Sequence, residues 1–544
     1  MTEKVLNDKN KKNPLKRMGT KHSERGARWP SFRQIFLKPV EMCRKKDDFH
    51  GLQRIFVKLW VGELEKNREL CRHKPTPTAM LIGREKEKAV LLKALESEQS
   101  EFIAVYGRRR VGKTFLIRET FNYEFAFQHT GILDAPMKEQ LSEFRQSLYR
   151  HGMPRTAMPK TWNDAFHLLE RWLESLPEGK KVVFIDELPW MDTVRSNFVR
   201  ALDHFWNNWA TMRKDIVLVV CGSATSWIID HIVMNYGGLH NRLTKKIHLR
   251  PFTLRECELY CESLHLGYKR HLIMEAYMAL GGIPYYWSFL QKGLSVAQNL
   301  DRIFFDEDGE LVREYDALFA SLFKNPDVHI RIIQSLSTKK AGMIRNELLE
   351  RTGASDNEQF AKALKELEQC GFIRKYTYFG KKSKDSMYQL MDNYTLFYFQ
   401  FVRRNENGDR HFWTSMYNSP LHNTWAGIAF ERVCLQHLEQ IKRGLGFEAV
   451  ICTAHSWSTP GAQIDLIIDR NDDVINVCEM KYSKGAYALD AAELANMQHR
   501  VDAFQQETQT KKSIHLTLIT AAGVTASSDT HSIQSMLTMD ALFL

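Results

Sequence analysis

The sequence predicts an α/β protein whose largest domain contains a parallel β-sheet. Between about residues 80 and 250, short apolar segments alternate with helical segments, and this alternation is typical of strands joined by crossover helices. A chain of 544 residues is long enough for three or four domains. Its 44% hydrophobic and 26% charged residues are ordinary for a globular protein.

The first apolar segment leads into a glycine-rich motif. Residues 107–114 read GRRRVGKT, which fits the P-loop pattern G-x-x-x-x-G-K-[ST] between a predicted strand (102–106) and a predicted helix (115–121). The glycines let the backbone fold closely around phosphate groups. We expect Lys113 to reach the β- and γ-phosphates of ATP and Thr114 to ligate Mg²⁺. The predicted nucleotide-binding residues of this motif are Gly107, Arg110, Val111, Gly112, Lys113, Thr114 and Phe115.

The next two apolar segments supply the rest of a predicted ATP site. Residues 181–187, KVVFIDE, form a buried strand that ends in two carboxylates, as a Walker B element does. We expect Asp186 to hold Mg²⁺ and Glu187 to polarise the attacking water. A third strand ends at Gly222, and either Ser223 or Thr225 then senses the γ-phosphate or simply caps the strand end.

Three further short motifs accompany these elements: Ile82-Gly83-Arg84-Glu85, Asn241-Arg242-Leu243 and Gly281-Gly282-Ile283-Pro284-Tyr285. Together with the P-loop and the Walker B element, they resemble the archaeal-type P-loop ATPases of the STAND branch, which is related to AAA+ proteins. The resemblance covers about residues 80–544. It implies that Arg84 lies beside the base or the phosphates and that Pro284 lies in a helical lid near the nucleotide. It also implies that Arg242 is a finger or sensor arginine; the alternative is a surface ion pair.

The segment after the lid predicts a winged helix. Three helical stretches (329–336, 344–353 and 357–370) precede a hairpin formed by residues 371–376 and 386–390. The predicted wing tip carries Lys381, Lys382 and Lys384, so contact with DNA is one interpretation. The third helix has only moderate positive charge. The other interpretation, an intramolecular clamp, therefore stays open.

The C-terminal part contains a hairpin with three charged residues. Strands over 462–468 and 474–481 flank a turn centred on residue 472, which places Asp465 directly opposite Glu479. Lys481 shares a face with Glu479 because side chains alternate along a strand. The apolar neighbours are expected on the other side, against a helix; they are Ile464, Leu466, Cys478 and Met480.

This D…E-x-K pattern resembles the core of restriction-endonuclease-like nucleases. The resemblance implies that Asp465 and Glu479 hold Mg²⁺, that Lys481 positions or activates water, and that Glu431 on an upstream helix is a weaker candidate ligand. Two alternatives stay open: a charged surface hairpin, or a nuclease-like fold that no longer cuts.

Charge is concentrated at the N-terminus. Residues 1–50 carry 14 Lys and Arg against 6 Asp and Glu, an excess of eight out of the net +11. We expect a solvated extension there, with phosphate contact as the alternative. An amphipathic helix is predicted at 52–64. The nine cysteines include no C-x-x-C pair, and no apolar run is long enough for a membrane span, so a cytoplasmic location is expected.

The sequence therefore predicts an ATP-binding and ATP-hydrolysing switch coupled to a nuclease-like domain acting on DNA. The alternative is a regulatory NTPase whose C-terminal domain only binds nucleic acid or protein. The expected cofactors are ATP and Mg²⁺, the partners are ATP and DNA, and the oligomeric state is left open. The predicted domains are an N-terminal extension (1–75), an ATPase core (76–250), a helical lid (251–322), a winged helix (323–402) and a nuclease-like domain (403–544).

Overall fold

The first domain contains the parallel sheet that the alternating pattern predicts. The computed structural model describes residues 81–234, 241–323, 325–381, 386–525 and 530–544. The sheet has the order β2-β3-β4-β1-β5, and every neighbouring pair is parallel. Its strands are β1 (Glu101–Tyr106), β2 (Phe127–Thr130), β3 (Lys181–Asp186), β4 (Ile216–Gly222) and β5 (Lys245–His248). The expectations for the N-terminal extension, the helix at 52–64, Lys382 and Lys384 lie outside the described residues.

Helices cover both faces of this sheet. Ile103 and Val105 pack into one buried cluster and Phe102 and Ala104 into another, because successive side chains of a strand point to opposite faces. The helices are α1 (Glu85–Leu95), α2 (Lys113–Thr120), α3 (Met137–Arg150), α4 (Trp162–Ser175), α5 (Phe198–Asn208) and α6 (Thr225–Ile228), with short turns at Leu188–Met191, Ala210–Met212 and Ile229–Val233.

A helical region follows the sheet, over the residues where a lid is predicted. Its helices are α7 (Leu254–Ser263), α8 (Arg270–Leu280), α9 (Pro284–Trp287), α10 (Val296–Phe304) and α11 (Glu314–Leu322). Gly282 lies against the chain that leaves β5, and its carbonyl accepts a 2.6 Å hydrogen bond from the amide of Phe252. A Cβ atom at position 282 would lie 2.0 Å from the Phe252 carbonyl oxygen, so this contact requires glycine.

The next elements have the order predicted from the pattern of helices and hairpin. They are α12 (Asp327–Ser337), β6 (Met343–Ile344), α13 (Arg345–Thr352), α14 (Glu358–Gln369), β7 (Ile373–Tyr376) and β8 (Met387–Leu390). The three strands form an antiparallel sheet in the order β6-β8-β7. Phe360, Leu364 and Leu367 of α14 are buried, as the helical spacing predicts.

The C-terminal part contains a separate mixed sheet in the order β13-β12-β11-β10-β9. Strands β9, β10 and β11 are antiparallel neighbours, whereas β11, β12 and β13 are parallel. The elements are α15 (Asn393–Gln400), α16 (Phe412–Met416), α17 (Pro420–Gln436), α18 (Leu438–Gly444), β9 (Cys452–Thr459), β10 (Ala462–Arg470), β11 (Val474–Lys481), α19 (Ala491–Thr508), β12 (Ser513–Thr520) and β13 (Ser535–Thr538), with short turns at Val402–Arg404 and Met539–Phe543.

The β10–β11 hairpin has the predicted register. Leu466 pairs with Cys478, which is the pairing that a turn centred on residue 472 requires. The prediction for Ile464 is wrong. The pairing between β10 and β9 shifts between Ile464 and Ile467, and this irregularity sends Ile464 into the buried cluster on the opposite face from Leu466. Cys478 and Met480 stay with Leu466, in the cluster that contains residues of α17.

No helix in the described part of the chain combines the length and the apolar character that crossing a membrane would require.

Trp413 supports the packing of the C-terminal helices. It is fully buried, and its ring centroid lies 4.9 Å from that of Phe397, 4.8 Å from that of Phe401 and 5.1 Å from that of Trp425. We predict that Trp413→Ala lowers the free energy of unfolding by about 3–5 kcal/mol, because it opens a cavity among aromatic rings. Thermal unfolding followed by fluorimetry measures this effect as a lower melting temperature.

The matched control is Val194→Ala, since Val194 is 80% exposed. It is expected to change stability by no more than about 0.5 kcal/mol. Equal melting temperatures for the two variants would contradict the assignment of Trp413 to the core.

Candidate functional site

The phosphate loop lies between the end of β1 and the start of α2, at the carboxyl edge of the parallel sheet. Gly107 has a φ of 145°, and a Cβ atom there would lie 2.2 Å from the Leu249 carbonyl oxygen. Gly112 has a φ of 91° immediately before α2. Both positions therefore require glycine, and the loop delivers the N-terminus of a helix, which attracts anions.

Lys113 lies inside this loop. Its buried ammonium donates hydrogen bonds to the carbonyl oxygens of Gly107 at 2.9 Å and Arg108 at 3.0 Å. Burial lowers the pKa of Lys113, and nearby acidic groups, including Glu187 and Asp186, oppose that shift. An ammonium group has three donors, so one remains for a phosphate oxygen.

Thr114 and Asp186 meet at the ends of α2 and β3. The Thr114 hydroxyl donates to one Asp186 carboxylate oxygen at 2.8 Å. The other oxygen accepts hydrogen bonds from the Glu187 amide at 2.9 Å and the Cys221 thiol at 2.6 Å. Hydroxyl and carboxylate oxygens are hard donors of the kind that Mg²⁺ prefers, so this pair fits the ion of a nucleotide complex.

Glu187 is held beside this pair by Ser223. One Glu187 carboxylate oxygen accepts hydrogen bonds from both the amide and the hydroxyl of Ser223, each at 2.9 Å. Burial raises the pKa of Glu187, while Lys113 opposes the shift. Glu187 has a φ of 47°, a left-handed conformation that is uncommon for a residue other than glycine. In the described structure Ser223 contacts this carboxylate, and the Thr225 hydroxyl donates to the Ser223 carbonyl at 3.4 Å.

Arg84 and Pro284, which the family resemblance suggested, lie in different parts of the structure. Arg84 is buried near the end of β5, where its guanidinium donates to the Arg250 carbonyl at 2.8 Å and lies 3.4 Å from the Glu256 carboxylate. Pro284 begins α9, and the next residue, Tyr285, lies under the Arg110 guanidinium at 4.1 Å. Both positions adjoin the ATPase core.

Arg242 is not brought to the phosphate loop. It is exposed and precedes β5, whereas the loop follows β1. Because β5 runs parallel to β1 and Ile103 pairs with Lys245, Arg242 lies at the amino edge of the sheet. Within this chain, Arg242 and the phosphate loop therefore lie at opposite edges of the sheet, and the role of Arg242 as a finger arginine stays a prediction.

Two arginines of the phosphate loop form ion pairs that the sequence analysis missed. Arg108 is buried, pairs with Asp392 and lies 4.4 Å above the ring of Phe372. Arg110 pairs at 2.8 Å with Glu314 of α11. These partners are distant in sequence, so no local pattern identifies them. The sequence shows only that the unspecified positions of the P-loop motif carry positive charge.

A second polar site lies in the C-terminal part. A cavity of about 710 Å³ is lined by the charged residues predicted for this site and by further lysine and arginine side chains. Its charged lining residues are Lys339, Lys340, Glu431, Asp465, Glu479, Lys481 and Arg500. The structure therefore brings all four predicted residues of the C-terminal site to one cavity.

On one side of this cavity, Glu479 and Lys481 form ion pairs with α19. The Glu479 carboxylate lies 3.0 Å from the Lys481 ammonium and 2.7 Å from the Arg500 guanidinium. Lys481 also contacts Glu493 at 2.7 Å. The sequence did not predict Arg500 and Glu493 as part of this site, because they lie on α19 and not on the hairpin from which the site was predicted.

On the other side, Lys340 lies between Glu431 and Asp465. Its ammonium is 2.7 Å from the Glu431 carboxylate and 3.4 Å from that of Asp465. Burial raises the pKa of Glu431 to about 7; Asp465 adds to the rise and Lys340 opposes it. Among the described residues, no group of three or more His, Cys, Asp or Glu is arranged to hold a metal ion. In the conformation described, the predicted ligands Asp465 and Glu479 and the weaker candidate Glu431 form ion pairs with Lys340, Lys481 and Arg500.

Comparison with known proteins connects the first site to a family. Residues 81–289 match the family described as an ATPase domain predominantly from Archaea. An uncharacterized protein from Methanocaldococcus jannaschii is 25% identical over 422 residues, which are 74% of this chain and 88% of the relative.

Among solved structures, a Walker-type ATPase of Pyrococcus abyssi is 17% identical, with a TM-score of 0.42, over 58% of this chain and 95% of that one. The ORC2 protein of Aeropyrum pernix, solved with ADPNP and ADP, is 14% identical, with a TM-score of 0.37, over 68% of this chain and 98% of that one. The family match spans the phosphate loop, Asp186, Glu187 and the glycine motif before Pro284. This chain is therefore an ATPase, and residues 81–289 match an ATPase domain that is found predominantly in Archaea.

Proposed function

We propose that the chain is an ATP-driven switch whose C-terminal domain is a Mg²⁺-dependent nuclease acting on DNA. The observation that carries the switch is the ion pair between Arg108 of the phosphate loop and Asp392, which follows β8. A nucleotide phosphate arriving at this loop competes with Asp392 for the arginine. Nucleotide occupancy is then linked to the position of the β6-β8-β7 unit.

The ATPase residues have separate roles in this proposal. Lys113 and the N-terminus of α2 bind the β- and γ-phosphates, while Thr114 and Asp186 hold Mg²⁺. When bound, Mg²⁺ neutralises phosphate charge and orients the γ-phosphate. Glu187 orients the attacking water, and its raised pKa suits a residue that accepts a proton. Ser223 positions the Glu187 carboxylate.

We infer that residues 327–390 form a winged helix that acts as an internal clamp in this conformation. Its third helix, α14, contacts the ATPase domain through Lys365, whose ammonium lies 2.8 Å from Asp230. Beyond β7, Phe379 packs 5.1 Å from the ring of Phe504 in the C-terminal part. Lys365 of the third helix and Phe379 beyond β7 thus make contacts within the chain, and these contacts support the clamp over direct DNA binding.

For the C-terminal site, we propose that Asp465 and Glu479 bind Mg²⁺, with Glu431 as an additional ligand. Bound Mg²⁺ would lower the pKa of water and stabilise the phosphate transition state. Lys481 lies 3.0 Å from Glu479 and positions the attacking water. The predicted hairpin register and the shared cavity support this assignment.

A second candidate function is a regulatory ATPase whose C-terminal domain binds nucleic acid or protein without cutting. The observation in its favour is that basic side chains already neutralise the carboxylates: Arg500 contacts Glu479, and Lys340 contacts Glu431 and Asp465. A site kept in this state would retain the fold and the charge pattern without binding a metal ion.

The ATP site is expected to fail in two distinct ways. Lys113→Ala removes the phosphate-binding ammonium, so nucleotide affinity falls about 10-fold or more. Glu187→Gln preserves shape and binding but removes the proton-accepting carboxylate, so hydrolysis falls about 100-fold or more. Fluorescent-nucleotide titration and a phosphate-release assay measure the two effects. Wild-type hydrolysis by both variants would refute these roles.

The Arg108–Asp392 pair yields a prediction about coupling. Asp392→Asn preserves a side-chain oxygen for the N-terminus of α15 but removes the charge that holds Arg108. Arg108 is then free to pair with phosphate, so ATP affinity is expected to rise about threefold or more. Titration calorimetry measures this change. Glu307→Gln, which alters an exposed ion pair with Arg410, is the control; unchanged affinity in Asp392→Asn would contradict the competition.

The nuclease assignment is tested with purified protein, Mg²⁺, and single- and double-stranded DNA, with and without ATP. Asp465→Ala and Lys481→Ala are each expected to reduce cleavage at least about 100-fold, because metal binding or water positioning is lost, and to leave ATP hydrolysis intact. Cleavage by both variants at the wild-type rate would exclude this site. Absence of cleavage by the wild type with and without ATP would favour the non-cutting module.

A further inference from the structure

Lys340 belongs to the unit formed by β6, β7 and β8 but reaches into the C-terminal cavity. It lies in the turn between α12 and β6, and 37% of its side chain is exposed. Its ammonium contacts two carboxylates from separate elements, Glu431 on α17 and Asp465 on β10. These are two of the three carboxylates proposed above to bind Mg²⁺. Lys340 therefore occupies the space between candidate metal ligands.

The backbone of Lys340 is held firmly, which distinguishes it from an ordinary surface lysine. Its carbonyl oxygen accepts hydrogen bonds from the Gln389 amide at 2.8 Å and from the buried Arg432 guanidinium. The carbonyl of the next residue, Ala341, accepts a 2.6 Å hydrogen bond from the Tyr376 hydroxyl. Side chains of β7, β8 and α17 thus fix the backbone at Lys340 and Ala341.

Gly342 allows this close approach. It has a φ of 84°, and a Cβ atom there would lie 2.1 Å from the Tyr388 carbonyl oxygen of β8. A side chain at this position would push the turn away from β8, and with it the Lys340 ammonium. The close approach of this turn to β8 therefore requires glycine at position 342.

The charges around Lys340 explain why a cation is needed there. The Glu431 side chain is 16% exposed and that of Asp465 is 30% exposed, and both carboxylates lie within 3.4 Å of the Lys340 ammonium. Arg432 and Arg374 are also near, but Arg432 is turned toward the Lys340 carbonyl and Arg374 toward Gln389. Lys340 is therefore the side chain whose charge reaches both carboxylates directly. A divalent cation bound by Glu431 and Asp465 would have to displace it.

We propose that Lys340 is a built-in cation that closes the C-terminal carboxylate site to divalent metal ions. The inference rests on the proposed function, because it concerns the regulation of the same site. With Lys340 in place, Glu431 and Asp465 are neutralised by the chain itself. Metal binding then requires the turn at residues 339–342 to withdraw, so the site is inactive in the conformation described.

Direct Mn²⁺ binding to the full, nucleotide-free chain tests the proposal, with electron paramagnetic resonance as the readout. Lys340→Met removes the competing charge and is expected to strengthen Mn²⁺ binding about tenfold or more. Lys340→Arg keeps the charge and is expected to bind as weakly as the wild type. Lys339→Met is the matched neighbour control, since Lys339 pairs with Glu347 of α13 instead. If the stronger Mn²⁺ binding of Lys340→Met is lost in the double variant Lys340→Met/Asp465→Asn, the additional Mn²⁺ is bound at this site.

The outcomes separate the inference from the proposed function. A gain in Lys340→Met that disappears on adding Asp465→Asn supports the closed site. Equal affinities in wild type and Lys340→Met, both lost in Asp465→Asn, would overturn the role of Lys340 but leave the metal site standing. Absence of Asp465-dependent binding in every variant would overturn both. Melting temperatures within a few degrees of the wild type establish that Lys340→Met is folded, and Lys340→Gln provides a second neutral variant.

Discussion

The buried ion pair between Arg108 and Asp392 is the constraint on which the arrangement of the described chain depends. The two residues are 284 positions apart, and each side chain is at most 5% exposed. Removing one partner of such a pair leaves an uncompensated buried charge, which costs about 3–5 kcal/mol. This pair therefore joins the phosphate loop to the segment that follows β8.

The segment between residues 387 and 392 lies between the two polar sites. Gln389 of β8 holds the Lys340 carbonyl, and three residues later Asp392 pairs with Arg108 of the phosphate loop. A short strand is a stiff connection, because its residues are fixed by ladder hydrogen bonds to both β6 and β7. This continuity is the physical basis for expecting ATP binding and the C-terminal cavity to influence each other.

The two sites use charge in different ways. At the phosphate loop, Thr114, Asp186, Glu187 and Ser223 already contact one another through hydrogen bonds. In the C-terminal cavity the carboxylates are instead separated by basic side chains, including Lys340 and Arg500. The first site thus joins its polar side chains to one another by hydrogen bonds, whereas the second joins each carboxylate to a basic side chain.

The sequence by itself determined the features that depend on local spacing. The strand–loop–helix around Lys113, the carboxylates at the end of β3 and the register of the β10–β11 hairpin follow from periodicity over fewer than about twenty residues. Only the tertiary structure decided what these elements meet. The shift near Ile464 depends on pairing with β9, and the exposed position of Arg242 depends on the direction of β5. Lys340 and Arg108 find partners about 90 to 280 residues away, because folding joins charges by position in space and no sequence period encodes that separation.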